Sequence, residues 1–213
     1  MAYAFLDRLS SPGVIAAQSA NGARRLWATA GADRQFDRLG DAEAAFIAAR
    51  DSLYMATVSQ TGWPYVQHRG GPPGFVRMLD ATTLAFADFR GNRQYISLGN
   101  LADDDRVSLI LVDYAARARL KILARLSVRD LAADSALAEA LALPGYRATP
   151  ERAFVLRLEA FDWNCPQHIT PRWSAAEVEI ATAPLRARLA ELEAENARLR
   201  GHMASLNPPG VDP

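Results

Sequence analysis

At residue 53 the hydrophobic period of the chain changes from helical to two, and it stays near two in segment after segment up to residue 164. This change constrains the fold more than any other feature, because strict alternation puts one face of a strand on a core and the other in water. LYMATVSQ (53–60), WPYVQHRG (63–70), FVRMLD (75–80), TTLAFADF (82–89), VSLILVDY (107–114), RLKILARLSV (119–128) and AFVLRLEAFDWN (153–164) read as seven short strands. Thr61-Gly62 and Asp80-Ala81 supply tight turns, and GGPPG (70–74) interrupts regular structure. Strands without βαβ alternation predict an antiparallel barrel, closed or nearly so. They exclude a doubly wound nucleotide fold, whose GxGxxG fingerprint is absent. Helices are expected at RGNRQYISLGNL (90–101) and LAADSALAEALA (131–142), the second stopped by Pro144-Gly145. The fold class is mainly β with flanking helices (α+β).

The ends read differently. Residues 1–40 form a helical extension, with Ser11 as cap, Pro12 in the first turn and Gly22 as a stop. Asp41 then caps AEAAFIAAR, and the barrel is assigned to 41–174. In the tail, Leu185, Leu189, Leu192, Asn196 and Leu199 follow a 4, 3, 4, 3 spacing, the a/d seam of a heptad repeat with Asn196 at a. Arg188 and Glu193, and Glu195 and Arg200, then hold g and e positions, so both g-to-e′ pairs of a parallel dimer carry opposite charges. Such a seam suits either a helix lying on its own barrel or one strand of a coiled coil. The polar a position and the two charge pairs favour the coiled-coil dimer over 175–206, with a flexible tail at 207–213.

Basic and acidic side chains balance at 24 each, which argues against binding nucleic acid through phosphate neutralisation. Lys121 is the sole lysine, so arginine carries almost all of the positive charge. One cysteine excludes an internal disulfide framework. Asp7 and Arg8 break the apolar start, and no run approaches the ~20 apolar residues that cross a bilayer. The expected location is cytoplasmic, without membrane contact.

Three constellations bear on chemistry. In NCPQHITPRW (164–173) Cys165 has His168 three residues on, but Pro166 intervenes and no acid orients the pair, so an inert packing cysteine is the better reading. The same C-x-x-H is half of a zinc spacing that His68 could join, but no fourth ligand presents itself and no metal is expected. Phosphate recognition is better supported. Arg90, Gly91, Asn92, Arg93 and Gln94 stand at the mouth of the expected helix after an apolar strand, where free N–H groups and guanidinium forks suit an anion. QHRGGPPG (67–74) adds a second polar, glycine-rich edge.

From about 41 to 173 the chain resembles the pyridoxamine 5′-phosphate oxidase-like flavoproteins. The resemblance is carried by Gly62 and Pro64 as a G-x-P pair, by QHRGGPPGFVRMLD, by TTLAFADF followed by RGNRQYISLGNL, and by NCPQHITPR. It implies an antiparallel split β-barrel that forms a homodimer and binds FMN at the subunit interface. Within that group the chain is most similar to an oxidase-related branch of unassigned substrate. Gln67 stands where the oxidases have arginine, and Asn92 replaces one of the two cations that grip the FMN phosphate. The Asn-Pro after the oxidase helix survives only as Asn100, and the tail replaces the substrate-phosphate motif, so pyridoxamine phosphate is not the expected substrate. On this resemblance Arg69, Asn92 and Arg93, with Arg90 and Gln94, hold phosphate. Gln67, His68, Gln167 and His168 face the flavin ring or the pocket above it. Trp163 or Trp173 stacks there or packs in the core, and Lys121 touches the cofactor or snorkels to solvent. No residue is assigned as a catalytic acid or base, since the flavin itself carries electrons. The expected function is an FMN-dependent oxidoreductase acting on a small molecule or electron donor. The alternatives are a non-catalytic flavin or haem carrier or sensor, and a deazaflavin-binding barrel.

A leucine at the buried a position removes the cost of the polar residue together with the register it specifies. Asn196→Leu is therefore expected to keep or raise thermal stability while sedimentation reports a mixture of oligomers; a sharp single species identical to the parent would contradict the heptad assignment.

Overall fold

The computed structural model describes residues 4–29, 37–163 and 167–206. Seven strands form close to their expected places: β1 (Ser52–Val58), β2 (Pro64–Gly70), β3 (Arg77–Asp80), β4 (Thr83–Phe89), β5 (Arg106–Asp113), β6 (Ala118–Arg129) and β7 (Pro150–Trp163). They make one sheet in the order β2-β1-β5-β6-β7-β4-β3, antiparallel throughout. The end strands β2 and β3 are not hydrogen-bonded to each other, so the curled sheet is a split barrel. Helices α1 (Ala4–Leu9), α2 (Pro12–Ala20), α3 (Arg24–Thr29), α4 (Asp41–Ala48), α5 (Ile96–Asn100), α6 (Ser135–Ala140) and α7 (Ala175–Leu206) flank it in sequence. The chain divides into two compact units, Met1–Ile169 and Thr170–Pro213.

Alternation sets the core. Leu53 and Met55 of β1, Leu109 and Leu111 of β5, and Leu120, Ile122 and Leu126 of β6 are all buried in one cluster with Ile47 of α4. Phe75, Phe86 and Phe154 run through it as successive edge-to-face contacts, with ring centroids 6.1 and 5.5 Å apart. The twelve-residue β6 pairs with β5 from Ala118 to Arg125 and with β7 from Leu120 to Arg129, with a register shift between Leu123 and Ala124 in the β7 ladder. In the 70–74 segment Gly71 donates to the Asp51 carbonyl at 2.9 Å, and a Cβ on Gly71 would stand 2.7 Å from that of Phe75. A side chain there would push Phe75 out of the core.

Both expected inter-strand helices are shorter than read. The 90–101 segment is helical only as the five residues of α5, because Arg93 and Tyr95 take positive φ (62° and 53°) that a right-handed helix excludes. The 131–142 segment reduces to α6, which Asp134 caps through Leu137 N–H at 2.9 Å. Gly40 rather than Asp41 holds the cap position of α4, where Glu43 accepts the Gly40 N–H at 2.9 Å and the Trp163 indole N–H at 2.7 Å. Trp163 also meets Phe46 edge-on at 4.8 Å, which makes it a packing residue. No helix among the described residues is long and apolar enough to cross a membrane.

One buried polar pair ties α5 to the sheet: Asn100 Nδ2 donates to Thr57 Oγ1 at 2.9 Å, with the two residues 7% and 1% exposed. Removing one partner strands the other in the core at a cost of about 1–3 kcal/mol. Thr57→Val is expected to lower the urea midpoint accordingly, and Thr57→Val with Asn100→Leu to cost less than the sum of the single changes; strict additivity in that cycle would show the bond to be unimportant.

Candidate functional site

On β2 the alternation puts Tyr65, Gln67 and Arg69 on one face, half-buried, and Val66 and His68 on the other, exposed. The inward face meets the end of β4, the 91–95 loop and the first turn of α5 around a cavity of about 210 Å³. Gln67, Arg69, Asn92, Arg93 and Gln94 all line it. Buried Ser97 donates its hydroxyl to Gln67 Oε1 at 3.0 Å, which leaves the Gln67 amide to act as a donor. Within the loop, Asn92 Oδ1 accepts Gln94 N–H at 3.1 Å, a local bond that shapes a turn without helix. The loop therefore presents its polar groups through irregular backbone. The expected helix-mouth cradle over 90–94 is corrected accordingly, since the five-residue helix starts only at Ile96.

The electrostatics centre on Asp88, which is 6% exposed. One of its oxygens accepts from Arg69 Nη1 and the other from Arg152 Nη1 at 3.0 Å. Arg152 Nη2 reaches Glu151 at 3.1 Å, and the other Glu151 oxygen accepts from Arg90 Nε and from the Tyr95 hydroxyl, each at 3.1 Å. The Arg90 hydrogen bond, with that of Tyr95, holds the Glu151 carboxyl below its usual range. The Arg69 guanidinium lies over the Phe154 ring at 5.1 Å, and that of Arg152 over Tyr95 at 5.1 Å. Arg69 Nε is buried and has no hydrogen-bond partner among the described residues. Arg93 makes no ion pair there, so its charge is uncompensated at the cavity wall.

The other expected residues lie elsewhere. Arg90 is exposed and bonded to Glu151, next to the cavity but outside its lining. His68 points from the opposite face of β2, edge-on to Tyr54 at 5.5 Å. Lys121 pairs with Asp162 and sits over the Phe5 ring of α1 at 4.7 Å, occupied by structural contacts. Gln167 and His168 form an exposed turn after β7, His168 with φ 62°, and neither lines the cavity. Trp173 is exposed and belongs to the second unit. Cys165 lies outside the described residues. Among the described residues no group of three metal-ligating side chains could hold an ion.

Sequence reasoning missed Asp88, Ser97, Glu151 and Arg152. Asp88 carried a usable signal, since an acid inside the apolar run TLAFADF is buried only if paired. Its partner Arg152 stands directly opposite in the β4–β7 register. Ser97 and Glu151 carried none, because each acquires its role only through tertiary contact.

Residues 39–162 match the family model described as pyridoxamine 5′-phosphate oxidase. No curated protein matches the chain. Among solved structures, an FMN-binding protein from Syntrophomonas wolfei is 15% identical with TM-score 0.45, over 69% of this chain and 97% of that one. HupZ from Group A Streptococcus is 14% identical with TM-score 0.45, over 63% and 99%. A protein related to general stress protein 26 from Clostridium acetobutylicum is 14% identical with TM-score 0.44, over 63% and 92%.

Deleting the shared carboxylate leaves two half-buried guanidiniums without a counter-ion. Asp88→Ala is expected to destabilise the barrel by on the order of 3 kcal/mol in urea unfolding, while joint replacement by Arg69→Met, Asp88→Leu and Arg152→Met recovers most of the loss. Equal losses in the two variants would show that packing and not charge pairing matters at this point.

Proposed function

The chain belongs to the pyridoxamine 5′-phosphate oxidase family, and from that premise we propose that it binds FMN and acts as an oxidoreductase on a small molecule. The observation that carries this reading is that Arg69, whose buried Nε has no partner among the described residues, and Arg93, which makes no ion pair among them, both line one small polar cavity. Guanidiniums are the charge-assisted donors that a phosphate monoester takes. Asn92, Gln94 and the loop backbone add neutral donors to the same wall. The Gln67 amide is placed to donate to a more distant part of the ligand, its own carbonyl being taken by Ser97.

A volume of about 210 Å³ falls below the ~300–1,000 Å³ typical of small-molecule sites. It suits the phosphate and the start of the ribityl chain, and the isoalloxazine then extends beyond the cavity towards a wall supplied by a second copy. Gln167 and His168, in the exposed turn after β7, are the residues we assign to that wall. When bound, the flavin supplies the redox chemistry, and the residues of this chain bind and orient it.

Arg93 makes no ion pair among the described residues, so its removal tests the site without dismantling the fold. Arg93→Ala is expected to weaken FMN binding by about 1.5–3 kcal/mol, roughly ten- to a hundred-and-fifty-fold, in a fluorescence-quenching titration. Unchanged affinity would take Arg93 out of the site, and a parent protein that takes up no FMN would end the flavin reading.

A further inference from the structure

The second unit carries a surface that the flavin reading does not use. α7 runs for 32 residues, about 48 Å at 1.5 Å per residue, and none of its side chains is buried. The heptad seam extends beyond the core of it legible in the sequence. Val178 and Thr182 precede Leu185, and Met203 and Leu206 follow Leu199, all in the same alternation of three and four. Its apolar members lie in water: Leu185 is 72% exposed, Met203 69% and Leu206 68%. A stripe this narrow, with charged residues and alanines making up most of the other faces, has the geometry of a coiled-coil seam and not of a helix packed broadly on a core.

Three features of the helix choose its occupant. Asn196 holds an a position, where only a parallel, in-register copy brings it against another Asn196; an antiparallel or shifted copy sets its amide against leucine. Arg188 with Glu193, and Glu195 with Arg200, are complementary to the same residues of a parallel copy. The pair Arg188–Glu191 within one helix (2.9 Å) is fully exposed and competes only weakly for that arginine. Pro184, which cannot donate to the preceding turn, sits at an outward heptad position, so its ring does not enter the seam.

We propose that α7 joins two copies of this chain as a parallel, in-register, two-stranded coiled coil from Val178 to Leu206, a contact made independently of the barrel. Its consequence is a tether. With both Ala175 ends at one end of the coil, the attached barrels meet at an effective concentration on the order of millimolar, whatever the dilution of the protein.

The test uses the full chain with Cys165→Ser and Asn196→Cys, oxidised by glutathione disulfide at micromolar concentration. Facing a positions lie within disulfide reach only in the parallel register, so most of the protein is expected to run as a linked dimer without reductant. Adding Arg188→Glu and Arg200→Glu makes both charged g-to-e′ contacts repulsive and should cut the linked fraction at least tenfold. Mixing that variant with one carrying Glu193→Arg and Glu195→Arg, in the same two-cysteine-site background and distinguishable in size by a tag, should restore linkage as the mixed pair. Absence of linkage at position 196 would overturn the proposal, and so would linkage that survives charge reversal or that the complementary mixture fails to restore.

Discussion

The carboxylate of Asp88 is the point on which the split of the barrel is held. β2 and β4 are separated in the sheet by four other strands, and no backbone bond joins them. Asp88 closes that distance with one oxygen on Arg69 of β2 and the other on Arg152 of β7. A sheet that curls without closing leaves its end strands free to splay. Here an ion triad, sealed on one side by the Phe154 ring under Arg69, takes the place of the missing ladder. The same triad fixes where Arg69 stands, and so where the unsatisfied Nε points.

The 90–95 loop follows from this arrangement. Arg90 and Tyr95 both bond Glu151, so the two ends of the loop are pinned to one carboxylate beside the triad. Between them the backbone passes through positive φ at Arg93, which turns that residue away from helical continuation and leaves it lining the cavity. A regular helix from residue 90 would have carried these side chains round its axis, a hundred degrees per residue, and only some would have faced inward. The irregular loop gathers Asn92, Arg93 and Gln94 on one side instead.

Most of the fold was legible because it rests on local rules. Period-two alternation located all seven strands, and Ser11-Pro12 located α2, whose cap bond from Val14 N–H to Ser11 is present at 3.3 Å. The loop was misread as helix because RGNRQYISLGNL contains no proline and only modest breakers, and a positive φ at arginine or tyrosine has no sequence signature. For the site, chain proximity was enough to group Asn92, Arg93 and Gln94. It misled at Gln67-His68, where consecutive strand residues necessarily face opposite ways. The contacts of Lys121 were not legible for a different reason: its partners Phe5 and Asp162 are distant from it in sequence.

The charges around the cavity do not cancel. Arg69 and Arg93 on its wall, with Arg90 and Arg152 beside it, outnumber Asp88 and Glu151 by two positive charges. On the flavin reading, the phosphate monoester, which near neutral pH carries about −1.5 to −2, would offset that excess. On that reading the cavity wall selects its ligand by charge, before any shape is read.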